Sequence, residues 1–307
     1  MEKFFRTFQI VFELGIYENT VITMTGETIL VEYPLTVDMS ISRSISTVSS
    51  TAWLCIYGLD ENKRKRLAKD RDDDAKFIRM SIFAGYNNNV NCIYRGVVNE
   101  CFSFREGGDT EFKTVVESAD AILDLLYGNI STSFQKGVDP LTLINNVSSG
   151  QNLISLQMGE ISPYVTFSTP KRGINFTDKP INILRSLGEV TNESGETEST
   201  FSIDLGVIYY LRQRYDVLKN LGVLVINDDY GLLGTPRRKS TLLSLRMLFE
   251  PAAMLHQKCI LDSKTLGITG TFKIMSVSHN GTISGGRCGS LITHLELFMG
   301  NTTFNPV

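Results

Sequence analysis

His256, Cys259, His279, Cys288 and His294 place five potential metal ligands in the C-terminal part of the chain. Thiolates and neutral imidazoles hold zinc when four of them converge at short, paired spacings. No such pairing exists here, and alternation around Leu295 sets His294 on the face opposite the apolar one. His294 is therefore expected at a surface or interface, and His279, within Ser278-His279-Asn280-Gly281, is expected to stabilise a turn. Arg71-Asp72-Asp73-Asp74 gathers acids without the spaced ligands of a calcium loop, so it reads as a solvated loop. Gly231–Ser240 and Gly285–Ser290 carry glycines but lack the Gly-Lys-Ser/Thr ending that cradles a phosphate. Arg237-Arg238-Lys239, inside the first of these, reads as an exposed basic loop able to touch an acidic rim. No carboxylate sits in a local setting that marks it as a general acid or base. The residues assign no catalytic, cofactor-binding or metal site, imply no cofactor, and name no interface residue.

The remaining reactive groups point the same way. With Cys55, Cys92 and Cys101 the cysteines form an odd set scattered through apparent strands, which suits free buried thiols in a reducing compartment. Asn129, Asn146, Asn175, Asn192, Asn280 and Asn301 each open an Asn-x-Ser/Thr triplet, as chance provides in a chain rich in these residues. Met1–Arg6 mixes charges with aromatics, so no signal peptide is expected, and no apolar run approaches a membrane span. A formal charge of −3 supplies no basic field for nucleic acid.

Strands must carry this chain. Leu35, Val37, Met39, Ile41 and Ile45 alternate with Thr36, Asp38, Ser40, Ser42, Ser44 and Ser46, giving one greasy and one hydroxyl-rich face. Such a strand is built to lie across something, another subunit being one candidate. Phe8–Leu14 alternates likewise, Val21–Met24 and Ile29–Tyr33 flank an expected hairpin turn at Thr25-Gly26-Glu27, and Ala52–Tyr57 lacks alternation, as if covered on both faces. Trp53 in that run is expected in the core more than at an interface. Asp60 should cap a helix over Glu61–Ala68, and further strands follow to Glu117. Ala119–Tyr127 suits either a short helix or a strand. In the middle, Asp139-Pro140 and Lys179-Pro180 should open helices burying Leu141, Ile144 and Val147, and Ile181, Leu184 and Leu187, with a polar, mobile loop over Thr191–Ser199. Strands return over Ser240–Phe249, Gln257–Leu261, Thr271–Val277 and Leu291–Met299.

Several segments in order resemble the baseplate hub proteins of contractile phage tails and related contractile injection systems. They are Trp53–Leu59, Ile82–Tyr86 and Ile93–Val98, then Ser133–Gly137, then Gly231–Pro236, Leu248–Pro251 and Val277–Gly281. The resemblance implies a mainly β chain with an α+β insert: two tail-tube-like β-barrel domains separated by smaller mixed domains. Residues 1–127 would form the first barrel, 128–235 the mixed section and 236–307 the second barrel, completed where needed by strands from the middle. It further implies a homotrimer that adapts the six-fold tail tube to the three-fold central spike. Its partners would be the tube or tube-initiator protein, the spike and other baseplate proteins, with phage DNA passing through unread and no membrane insertion. The protein would be assembled in the host cytoplasm and reside in the virion baseplate without enzymatic activity. The alternatives are a peptidoglycan hydrolase of the tail tip and a single-barrel tube initiator or distal tail ring protein.

Overall fold

The computed structural model describes residues 5–18, 21–45, 50–73, 75–87, 89–108, 111–120, 130–148, 157–165, 171–187, 189–191, 197–199, 201–213, 216–239, 241–263, 267–286 and 289–298. Alternating apolar residues build the first group of strands: β1 (Arg6–Glu18), β2 (Val21–Glu32), β3 (Thr36–Ser44), β4 (Thr51–Tyr57), β5 (Lys76–Tyr86), β6 (Asn89–Phe104) and β7 (Lys113–Ala119). They pair in the order β3-β4-β7-β6-β5-β1-β2, and all seven contribute to one buried cluster that includes Ile10, Val31, Ile41, Leu54, Ile82, Tyr94 and Val116. Helix α1 (Glu61–Leu67) starts where Asp60 Oδ1 accepts the Lys63 amide at 2.9 Å. It leans on β2 through Lys63 Nζ to the Leu30 carbonyl and Arg66 to Glu27, at 3.0 and 2.8 Å. The turn expected at Thr25-Gly26-Glu27 is instead a bulge within the single strand β2. The register jumps between Glu13 and Gly15 on β1, Gly26 takes φ 77°, and Thr25 Oγ1 donates to the Leu14 carbonyl.

The middle of the chain is α+β. Strand β8 (Ile130–Phe134) is followed by α2 (Pro140–Ser148), β9 (Gln157–Ile161), β10 (Ile174–Asp178), α3 (Pro180–Leu187), β11 (Glu189–Thr191), β12 (Thr197–Ser199), β13 (Phe201–Asp204) and β14 (Val207–Tyr210). The helices share a core with β13 and β14 through Leu143, Ile144, Val147, Ile183, Leu184, Ile203 and Ile208. On α2, Leu143 takes the buried place expected for Leu141, which is 41% exposed. The expected loop over Thr191–Ser199 begins and ends as the paired strands β11 and β12. Residues 121–129, where a helix and a strand were both open, lie outside the described residues.

The last group is β15 (Leu224–Asn227), β16 (Leu232–Lys239), β17 (Leu242–Leu248), β18 (Lys258–Ser263), β19 (Ile268–Ile283) and β20 (Leu291–Phe298). The turn expected at Ser278–Gly281 lies inside β19, because alternation simply continues through it: Val277 and His279 are buried, and Ser278 and Asn280 are not. The path β16-β17-β20-β19-β18 has the same connectivity as β3-β4-β7-β6-β5, antiparallel at every step. The likeness is finer than strand order. Both β6 and β19 are 16 residues long. Each bulges against its last strand just before Glu100↔Glu117 in one unit and Ser276↔Glu296 in the other. At the same step beyond the bulge, Ser103 faces buried Thr114 and His279 faces buried Thr293, each pair bonded side chain to side chain at 3.0 Å. One unit is thus a copy of the other in topology. They differ at the margin, where β1 runs antiparallel to β5 but β15 runs parallel to β18.

The two units are hydrogen-bonded into a single 13-stranded sheet, because β3 pairs antiparallel with the second half of β19, Val37↔Ile283 through Ser44↔Ser276. Gly281 sits in this seam between Met39 and Leu291 with φ 141°, and a Cβ there would lie 1.8 Å from the Ser290 carbonyl oxygen. Any side chain must push the strands apart and occupy a backbone region reserved for glycine. Gly281→Ala is expected to lower unfolding free energy by about 2 kcal/mol or more. Urea denaturation measures this, and an unchanged midpoint would contradict the packing described.

Candidate assembly interface

The seam has a polar face and a buried face. On the polar face, Ser40 Oγ donates to Asn280 Oδ1 at 2.7 Å, Ser42 and Ser278 hydroxyls lie 3.5 Å apart, and Thr36 and Ser284 hydroxyls 2.6 Å apart. Asp38 is the charge among them. It accepts from Thr282 Oγ1 and from the Tyr57 hydroxyl, and that carboxylate bond raises the Tyr57 phenol far above its ordinary pKa. The hydroxyl face foreseen for Leu35–Ser46 is present, and the strand edge beside it is covered by β19 of the same chain.

On the buried face the two cores exchange residues. Ile45, next to the end of β3, lies in the core of the second unit, while Phe249, Ile283 and Leu291 lie in the core of the first. Phe249 stacks tilted on Tyr86 with ring centroids 5.8 Å apart, and the Tyr86 hydroxyl donates to its carbonyl at 2.8 Å. Arg43 stands in the apolar phase of β3, where Val37, Met39 and Ile41 predict another hydrophobe. Its side chain is 1% exposed, and Nη1 reaches both Asp204 carboxylate oxygens at 3.0 Å while Nη2 donates to the Ala253 carbonyl at 2.8 Å. One guanidinium thereby ties β3 to β13 of the middle section and to the turn after β17. The signal for it was in the sequence as a charge breaking an apolar alternation.

The residues able to do chemistry are dispersed. Among the described residues no three histidine, cysteine or acidic side chains are grouped to hold a metal ion, and Cys288 lies outside them. Cys55, Cys92, Cys101 and Cys259 are free thiols, and burial pushes Cys101 and Cys259 up to about 12, leaving them unreactive. His256 Nε2 lies 2.8 Å from Ser202 Oγ, an arrangement like that of a nucleophile and its base. Both are buried, and His256 Nδ1 has no hydrogen-bond partner among the described residues, so neither substrate access nor an orienting third group is provided. Full burial holds His279 neutral, its pKa lowered to about 3. His294 is half-buried, and burial with Arg246 nearby lowers its pKa too.

Two surface features depart from expectation. Trp53 is 41% exposed on the outward face of β4, between Ser40 of β3 and Glu117 of β7, so the lone tryptophan lies at the surface and not in the core, while Phe102 and Phe104 of β6, two strands away, are 42% and 38% exposed. Arg237, Arg238 and Lys239 are exposed, as expected, but on strand β16 at the end of the sheet path instead of on a loop, just past a shift in its register with β17 between Leu233 and Arg237.

No family model matches the chain, and no curated protein matches it in sequence. Solved structures do share its fold. The 43 kDa tail protein of prophage MuSo2 from Shewanella oneidensis aligns with a TM-score of 0.55 at 9% identity, covering 94% of this chain and 96% of that one. A tail protein from Neisseria meningitidis aligns at 0.54 and 8% identity, with the same coverage of 94% and 96%. The c3393 protein of E. coli aligns at 0.55 and 9% identity over 86% of this chain and 74% of its own. That protein is described as a component of the type VI secretion system with structural similarity to the T4 bacteriophage tail proteins gp27 and gp5. The chain therefore has the mainly β fold of these tail proteins over nearly its whole length.

Removing Arg43 alone would leave Asp204 buried and uncompensated. Arg43→Leu is expected to cost about 3–5 kcal/mol, and Arg43→Leu with Asp204→Leu to cost markedly less than that, because the pair rather than either charge suits the site. Chemical denaturation of these two variants and of Asp204→Leu checks this, and additive losses would contradict it.

Proposed function

We propose that the chain is a structural baseplate hub: three copies form a ring that adapts the six-fold tail tube to the three-fold central spike and encloses the path of the DNA. The observation that carries this reading is the duplication, β3-β4-β7-β6-β5 repeated as β16-β17-β20-β19-β18 within one sheet. A ring needs interfaces that return on themselves, and three chains with two like units each offer six similar docking surfaces to one neighbour and three to the other. The likeness to tail proteins supports it, and so does the company of a type VI secretion component. A single-barrel ring protein would lack the second unit.

The first unit spans roughly β1–β7, the mixed section follows, and the second unit draws on β15 and β16 as well as the strands after residue 236. Along its internal seam, where Ser40, Ser42, Ser278 and Asn280 stand, the chain offers no cation to hold the phosphates of a passing polyanion. Its role is positional: it holds the spike until contraction and then passes the genome. It belongs in the virion after assembly in the host cytoplasm, touches tube, spike and other baseplate proteins, and performs no hydrolysis.

Static light scattering on the full chain, alone and with its spike, is expected to give the mass of three copies, and the ring should nucleate polymerisation of the tube protein. A stable monomer in both settings would overturn the hub reading. Clearing of cell-wall substrate in a zymogram would overturn the non-enzymatic one.

A further inference from the structure

Each repeat has two edges: a hairpin edge, β3 or β16, and a long-strand edge, the second half of β6 or β19. Within the chain the hairpin edge of the first repeat is already docked, β3 on β19 from Ser276 to Ile283. The hairpin edge of the second repeat, β16, ends the sheet path and pairs among the described residues only with β17. The matching long-strand edge, β6 beyond Glu100, lies on the other repeat, with six strands between them in the path. Within one chain the two do not pair.

We propose that β16 of one copy adds to the edge of β6 in a second copy, seating Arg237 and Lys239 over Phe104 and Phe102. This rests on the three-copy reading above and names the surfaces that would make it. The repeat supplies the register. Ser42 and Lys239 occupy equivalent steps, opposite Thr51 and Leu242, and Phe102 and Ser278 occupy equivalent steps, opposite Val115 and His294. Within the chain Ser42 pairs with Ser278 and Ser40 with Asn280, so between chains Lys239 pairs with Phe102 and Arg237 with Phe104.

Three observations support this register. The edge of β6 is closed at Cys101 by Lys69, which exchanges backbone hydrogen bonds with it at 2.9 and 2.8 Å, and from Phe102 onward no strand pairs with that edge among the described residues. β16 ends at Lys239, the residue placed opposite Phe102, so the strand stops where the open edge stops. The chemistry is also complementary. Phe102 and Phe104 are exposed and stacked with centroids 6.0 Å apart, a platform for a guanidinium or ammonium. Beside them Arg71 Nη2 is shared between Glu100 and Glu117, at 3.4 and 3.1 Å, so Lys239 seated over Phe102 would meet an acidic neighbourhood. Lys113, across from Phe104, is already paired with Glu106.

The contact is head-to-tail, and alternating it with the internal seam closes a ring if the rotation is right. The two seams then differ in chemistry: the internal one is lined with hydroxyls, whereas the one between copies is aromatic and ionic. Association should therefore weaken with salt while the fold does not.

The test is a disulfide trap in the full chain carrying Phe102→Cys and Lys239→Cys. The equivalent hydroxyls of Ser278 and Ser42 lie 3.5 Å apart, so side chains at these steps are within reach of each other. Oxidation is expected to give covalent species of two and then three chains, and the same treatment of the unmodified protein is expected to give none. A protein that scatters as three copies yet forms no such bond would overturn the proposed edge and leave the hub reading standing; one that stays monomeric overturns both. Arg237→Glu with Lys239→Glu should weaken association about tenfold or more with unchanged thermal unfolding, and adding Glu100→Lys should recover part of the loss. Unchanged association would count against the proposal.

Discussion

The pairing of β3 with β19 is the constraint on which the remaining structure depends. It joins residues near position 40 to residues near position 280, so the whole intervening chain must be closed before this ladder can form. The ladder alone would be a poor return for that closure. What makes it worthwhile is the exchange of core residues across it, Ile45 in one direction and Phe249 in the other, together with the Arg43 guanidinium held by Asp204 and Ala253. The middle section, through Asp204, acts as a clasp on the joint between the repeats. A buried charge pair contributes little net stability but penalises any arrangement that separates its members, so it fixes geometry more than it adds strength.

Internal repetition follows from the same geometry. Two copies of one sheet topology, placed edge to edge, present alternating hairpin and long-strand edges, and a chain that has docked one of each still offers one of each. Sequence drift between the repeats is extensive. Trp53, Cys55, Val115, Phe102 and Phe104 on the outward face of the first correspond to Ser244, Arg246, His294, Ser278 and Asn280 on the second. What persists is the backbone device: the bulge before Glu117 and Glu296, and the buried threonine pair beyond it. Bulges and buried cross-strand bonds constrain the course of a strand, while outward side chains are free to follow whatever they meet.

Much of this was legible from residue order. The period of two from Val37 to Ile41, the Asp60 cap and the proline starts of α2 and α3 all predict elements that the chain forms. The failures have physical causes. Gly26 reads as a turn residue because positive φ is needed, but a bulge needs it equally. Ser278–Gly281 looks polar enough for a turn, yet alternate residues there face the hydroxyl side of the seam, which only the pairing of distant strands reveals. Trp53 reads as core because its strand is apolar, and its exposure depends on which face the sheet curls away from. Arg43 was visible as a broken pattern, but its partner Asp204 lies in another section and no local signal links them.

The central claim is that two like units per chain let a three-fold assembly present six-fold surroundings. End-on electron micrographs of the purified assembly test it most directly through their rotational power spectrum. The account predicts a strong six-fold component accompanied by a weaker three-fold one, since the units share topology but not side chains. A three-fold pattern with no six-fold component, or particles without rotational symmetry, would contradict it.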